Sequence, residues 1–412
     1  MNRRELRMSL GTLRFLDAHA GAPCGVLDLR TRPAPKVLVW HPAAIDWIFR
    51  SDQRMRHPGS RSLTPLFGRR SLLWADGSRH AAYRQVLGPP LRGRRLAAYR
   101  GIIAEAVHSA IDTLVPGGQI ALPAWTRRLT LGVMARIVLG RSDDALNAAF
   151  TRWIERALGA RHRTLAYRYL AGGLPASGVE LDERLVRTAR STVDSWPATL
   201  AALLLAGDGP LRGIDDAELR DAIVSLLFAG HETTAAAAAW TLYWLDREPR
   251  IRQEVAAELA GTDGSTAARV PLLQAVIAEA LRLAPPVTVA ENRELTGDAE
   301  LLGRPLPAGT TLTPSIYLAH RDPGRFPDPG RFDPHRFLGD RLPPQHYFPF
   351  GGGSRYCLGS QLAQLEIRMI TAAVLRRVDW HCVNPRAAVP RLRGHAMAPD
   401  PRLRMSVRSC RD

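Results

Sequence analysis

Apolar positions recur at helical spacing along most of the chain and switch to strand-like alternation only in a few stretches. Leu38-Val39-Trp40 followed by His41-Pro42 predicts a short strand and turn, then a helix over 43–50. Residues 57–73, with Pro58, Gly59, Pro65 and Gly68, lack a helical period and predict a long loop. Helices are expected over 78–87, 96–114, 125–139, 144–158 and 182–206, with a Gly/Pro-rich break at 171–178. The clearest helix runs from Asp215 to about Asp246, where Asp215 and Glu218 stand at capping-box spacing. Two more follow at 250–259 and 271–284, the latter closed by Pro285-Pro286. Residues 287–316 predict short hairpins, 320–356 show little periodicity, and a last long helix over 358–378 leads into strands. The pattern describes a mainly α chain (α+β) with a smaller β-rich region. No repeat or linker marks a boundary, so residues 1–412 are expected to form a single domain.

Charge narrows the chemistry. Lys plus Arg is 56 against 39 acids, and Lys36 is the only lysine, which leaves 55 arginines. A phosphate-binding GxxxxGK[ST] loop needs a lysine near 351–353, and none is there. A Schiff-base enzyme would have only Lys36, in a proline-rich loop. The arginines are scattered, without the aromatic interleaving of a nucleic-acid face, so no nucleic acid is expected as partner. Four cysteines (24, 357, 382 and 410) with no CxxC build neither a disulfide framework nor a zinc ribbon. No apolar run follows the charged start, and the longest, 235–245, is short of the roughly 20 residues of a membrane span. These features lead to the expectation of a soluble, cytoplasmic protein without membrane attachment.

Chemistry gathers in four places. Phe350-Gly-Gly-Gly-Ser-Arg-Tyr-Cys357-Leu-Gly359 sets one cysteine after a glycine-rich loop and directly before a helix, where the helix dipole and backbone N–H groups favour a thiolate. Gly353 and Gly359 would let a flat cofactor approach the backbone, and Arg355 could meet a carboxylate at its edge. Glu279 and Arg282 lie three apart on one helix face, upstream of Phe332-Asp333-Pro334-His335-Arg336-Phe337. Ala229-Gly230-His231-Glu232-Thr233-Thr234 sits mid-way along the longest helix; Ala235 stands where HExxH would need a second histidine, so a zinc site fails. Thr233 can instead bond the carbonyl of Ala229 and loosen the helix there. His80 and Arg84, four apart, share a helix face.

In this order the motifs resemble the cytochrome P450 family, and FxxGxRxCxG is complete at Phe350, Gly353, Arg355, Cys357 and Gly359. The resemblance implies the P450 fold, with the long central helix over the haem, and haem b held by the Cys357 thiolate. It makes Glu279, Arg282 and Arg336 a structural triad, Glu232 and Thr233 the proton-delivery pair, and His80, Arg84, Arg293 and Arg355 the haem-propionate ligands. By family position the substrate pocket would take Phe228, Ala229, Val287, Thr288, Val289 and Met397, with the 61–75 loop. Their apolar character suggests a terpenoid, fatty acyl or polyketide substrate, modified by hydroxylation or epoxidation with O2 as a natural-product tailoring step. Gln364 departs from an arginine frequent in the family. The sequence has no flavin or iron–sulfur motif, so electrons would come from a ferredoxin with its reductase, or from a flavodoxin, acidic proteins suited to Arg92, Arg94, Arg95, Arg368, Arg376 and Arg377. The expected state is a monomer. A haem-thiolate gas or redox sensor is the alternative.

Overall fold

The computed structural model describes residues 3–59, 63–158, 178–194, 197–261, 270–339, 341–393 and 396–411. Its chain contacts divide into two compact units, one of Met1–Gly59, Pro271–Cys357 and Pro390–Leu392, the other of Ser60–Val270, Leu358–Val389 and Arg393–Asp412.

In the first unit a five-stranded sheet runs in the order Val26–Arg30, Lys36–Val39, Thr311–Pro314, Arg293–Leu295, Met55–Arg56. The one parallel pair sets Val37 beside Leu312 and joins strands far apart in sequence. Val37, Leu38, Val39 and Leu312 are buried, which accounts for their apolar run. The helix Pro42–Arg50 begins with proline at its first turn and with the His41 ring accepting from the Ala43 N–H. The helix Pro271–Leu283 buries nearly all of its residues, and Ala299–Leu301 pairs with Arg304–Leu306 as a hairpin.

The second unit is helical. Its central element, Asp216–Arg247, is buried along most of its length and packs most extensively on Leu122–Leu139. By length and composition it could cross a membrane, yet 83% of its most apolar stretch is buried within the protein, as in a core helix. Close approach of the two helices depends on Gly230, where a Cβ would come within 2.6 Å of the Met134 sulfur. Asp215 caps the helix by accepting the Glu218 N–H at 2.9 Å. The reciprocal half of the capping box is absent: the buried Glu218 carboxylate accepts from the Tyr83 hydroxyl at 2.5 Å and pairs with Arg79. A three-stranded sheet, Gln119–Ala121, Arg404–Cys410, Val378–Cys382, completes the unit.

Three boundaries differ from the sequence reading. The helix expected over 182–206 is two, Val179–Ser191 and Leu200–Leu205. Pro197 cannot continue a helix, and the Thr199 side chain restarts one by accepting from the Ala202 N–H. The helix expected over 96–114 is 3-10 from Gly93 to Tyr99 and α from Arg100 to Asp112. The expected loop at 57–73 contains a short helix, Thr64–Phe67. Residues 171–177 of the expected break, and residues 61 and 62 of the expected pocket loop, lie outside the described residues.

Candidate functional site

In the first unit the cysteine loop closes on itself. The Cys357 N–H donates to Phe350 O at 2.9 Å, Gly351 N–H to Phe348 O at 2.9 Å, and Tyr356 N–H to Gly353 O at 3.2 Å. Gly351 and Gly353 hold φ of 70° and 68°, which L side chains rarely adopt. Cys357 is exposed and in no disulfide. The role expected for Gly353, room for a cofactor, is corrected: its missing Cβ would lie 2.7 Å from the Asp52 carboxyl carbon, and that of Gly352 2.4 Å from the Phe49 ring. The glycines admit protein, not ligand. Gly359, with nothing within 4 Å of a built Cβ, does leave open space.

The Glu279, Arg282 and Arg336 side chains meet as expected. Arg282 donates to both Glu279 oxygens at 2.7 and 2.9 Å, and Arg336 Nε lies 3.3 Å from Glu279 Oε1. Arg282 also donates to the carbonyls of His320, Pro329 and Arg331, and the Asp333 N–H donates to Glu279. Glu279 and Arg282 are completely buried, so every bond in this set replaces one lost to water. The triad thereby ties the helix Pro271–Leu283 to the irregular segment 320–336, whose lack of periodicity left it formless in sequence.

Arg293 is the main departure among the expected haem ligands. It is wholly buried, with Nε on Asp52 at 2.7 Å, Nη1 on Glu291 O at 2.5 Å and Nη2 on Gly352 O at 2.8 Å. A guanidinium engaged at all three nitrogens within its own unit braces the cysteine loop. Asp52 also accepts from the Ser354 N–H at 2.7 Å and lies 3.2 Å from His57 Nε2. Burial opposes its ionisation, but the His57 bond, the Arg293 charge and the Ser354 and Arg293 bonds hold its carboxyl well below the usual range. Arg355 lies 3.8 Å from Glu291, whose carboxyl burial pushes up despite the charges of Arg355 and Arg293.

In the second unit the buried middle of the central helix bares one spot. Ala229 is exposed and Gly230 and Thr233 are half-buried, between neighbours that are buried on either side. Thr233 Oγ1 donates to Ala229 O at 2.7 Å, the bond expected from the sequence. Glu232 is buried and turned to cations: His231 Nε2 at 3.5 Å, Arg393 Nε at 3.6 Å and Arg127 Nη1 at 3.8 Å from Oε1. Burial would raise its carboxyl; the bond and charge of His231, then Arg127 and Arg393, override this and hold it at about 2. His231 Nδ1 lies 2.7 Å from Leu227 O, the geometry of a ring N–H donating to that carbonyl. Glu155 competes for Arg393 at 2.5 Å and Arg127 at 3.9 Å, and a cavity of about 410 Å³ reaches Glu155, His231 and Glu232. His80 and Arg84 sit half-buried on the helix Gly77–Leu87. Of the expected pocket residues, Ala229 is exposed and Val287 and Val289 half-buried, while Thr288 and Phe228 are buried. Met397 has no accessible surface and packs as core, which corrects its assignment as a pocket wall.

Residues 180–406 match the family model for cytochrome P450. The chain belongs to the cytochrome P450 family. Cyclooctat-9-en-7-ol 5-monooxygenase of Streptomyces melanosporofaciens is 30% identical over 90% of this chain and 85% of its own. Cyclooctatin synthase of the same organism is also 30% identical, over 96% and 93%. A Mycobacterium tuberculosis chain provisionally named cytochrome P450 135B1 is 34% identical over 90% and 82%. The retinoic acid-bound structure of cyanobacterial CYP120A1 superposes with a TM-score of 0.81 at 26% identity, covering 93% of this chain and 92% of that one.

The protein is thus a P450 monooxygenase with the P450 fold, and the cofactor of this family is haem b with an axial cysteine thiolate. The residues present fit it: an exposed thiol at the end of a loop closed by its own backbone bonds suits an axial ligand, and a helix whose buried middle opens only around Ala229 suits a face that a flat macrocycle covers. Sequence reasoning missed Asp52, Glu291, Arg127, Glu155 and Arg393, buried or bridging charges with no local motif.

Proposed function

We propose that this P450 inserts one atom of O2 into a hydrophobic small molecule of terpenoid type, by hydroxylation or epoxidation, as a step in natural-product tailoring. The loop that presents Cys357 carries this reading, and a relative named for oxygenation of an alkenol supports the substrate class. Bound haem supplies O2 binding and its reductive activation through the thiolate of Cys357. His80, Arg84 and Arg355 would hold the propionates, with Phe350 and Gly359 flanking the thiolate. Ala229, Val287 and Val289 would face the substrate and exclude water from it.

Proton delivery falls to Thr233 and Glu232. With its carboxyl held at about 2, Glu232 is an anion at neutral pH. It would orient water as an acceptor rather than store a proton, and the cavity of about 410 Å³ offers the route for proton resupply. The Thr233 hydroxyl donates to Ala229 O, which leaves its oxygen lone pairs to hold a water.

Electrons would come from an acidic ferredoxin or flavodoxin. Arg92, Arg94 and Arg95 are exposed and suit such a partner. Arg376 donates to Leu259 O and Arg377 pairs with Asp112 at 2.9 Å, which lowers their availability. Arg368 is half-buried, and its guanidinium is depressed by burial and then by Arg100. We read the whole chain as one catalytic domain, working as a cytoplasmic monomer. Reconstitution with a surrogate ferredoxin system under 18O2 tests the proposal: a terpene or terpene alcohol from a panel with fatty acids and macrolides should give a spin-state change and gain one labelled oxygen. Labelled product only from fatty acids or macrolides would overturn the substrate class.

A further inference from the structure

We propose that Asp52 is the positioning residue of the cysteine loop, with Arg293 as its buried counter-ion and second hand, so that the two together fix the backbone that presents Cys357. This rests on the reading of Cys357 as the axial ligand. Asp52 lies just beyond the helix Pro42–Arg50 and is 1% exposed. Its carboxylate accepts the Ser354 N–H at 2.7 Å and the Ser354 hydroxyl, Arg293 Nε at 2.7 Å, and lies 3.2 Å from His57 Nε2. Arg293 reaches the same loop from the strand Arg293–Leu295, donating to Gly352 O at 2.8 Å. The pair therefore takes the carbonyl of residue 352 and the N–H of residue 354, on either side of a glycine.

That glycine is the third part of the device. Gly353 has φ of 68°, and a Cβ there would overlap the Asp52 side chain at 2.7–2.9 Å. Only glycine allows both the turn and the close approach of the carboxylate. From this fixed point the loop runs three residues to Cys357, held by the Tyr356 N–H on Gly353 O and the Cys357 N–H on Phe350 O. Charge-assisted bonds to two backbone groups, shielded from water, hold the loop more firmly than its own turn bonds.

The test uses the full-length protein with its haem, in wild type, Asp52→Asn, Ser354→Ala and Arg293→Gln forms. Hydrogen exchange should rise about tenfold or more in residues 350–357 of Asp52→Asn, with the segment holding Glu279 and Arg282 unchanged. At equal haem content, the Soret band of its ferrous carbon monoxide adduct should move in part from the thiolate position to that of haem lacking thiolate. Ser354→Ala keeps the backbone N–H and should stay near wild type in both readouts. If Asp52→Asn does not accumulate, the charge-free pair Asp52→Asn/Arg293→Gln should show the same two changes. A folded Asp52→Asn protein with a protected loop and an unshifted band would overturn the clamp. So would loss of haem from Arg293→Gln with the loop still protected, which would make Arg293 a propionate ligand. A wild-type protein without the thiolate band would refute the reading of Cys357, while hydrogen exchange would still judge the hold of Asp52 on the loop.

Discussion

Replacing Glu232 by glutamine removes the anion that Arg127, Arg393 and His231 surround, and the structure sets the size and pH dependence of the effect. The carboxyl is held at about 2 against an ordinary 4.5, with its side chain 7% exposed. A folded-state value below the unfolded one stabilises the protein fully above the unfolded value, and the gain disappears as pH falls through the folded one. At 1.36 kcal/mol per pH unit, the separation corresponds to about 3 kcal/mol at neutral pH. Urea unfolding of wild type and Glu232→Gln should therefore differ by about 3 kcal/mol at pH 7, and the difference should shrink below pH 4.5 and be nearly gone at pH 2. Curves that stay parallel across this range would refute the ionised, cation-held state of Glu232.

Arg282→Lys should cost about 3–5 kcal/mol, because a lysine cannot serve two carboxylate oxygens and three carbonyls from one buried position; yield and thermal midpoint of the haem-loaded protein check this. Gly352→Ala should lower stability by about 1–3 kcal/mol, since its Cβ would meet the Phe49 ring at 2.4 Å, and Phe49→Leu should restore part of the loss in a double-mutant cycle. Charge reversal at Arg94 and Arg95 should slow reduction by an acidic ferredoxin about tenfold or more at low salt and flatten its ionic-strength dependence; stopped-flow reduction rates that do not change would remove this face from the donor site.

What was legible in the sequence was local. The central helix declared itself through its period and its Asp215 cap, and Thr233 bonds the carbonyl its spacing indicated. The cysteine loop and the Glu279–Arg282 pair were visible because each is contiguous or one helical turn apart. What remained hidden depends on long-range contact. Asp52 meets Arg293 and Ser354 across 241 and 302 residues, a separation at which no spacing rule operates. That contact changed the reading of Gly353, which faces a carboxylate rather than open space, and gave Arg293 a partner within the protein. The same holds for Arg393, which ends the strand Pro390–Arg393 with no sign of the acids at positions 155 and 232. Helix boundaries also follow local rules: Pro197 and Thr199 are stop and start signals inside the stretch 182–206 expected as one helix.

The central claim, a haem-thiolate oxygenase centred on Cys357, is tested most directly by the absorption spectrum of the purified protein reduced under carbon monoxide. The expected result is one haem per chain with the strongly red-shifted Soret band of a thiolate-ligated ferrous adduct, lost on Cys357→Ser while Cys382→Ser leaves it in place. A protein that binds no haem, or one whose red-shifted band survives Cys357→Ser, would contradict it.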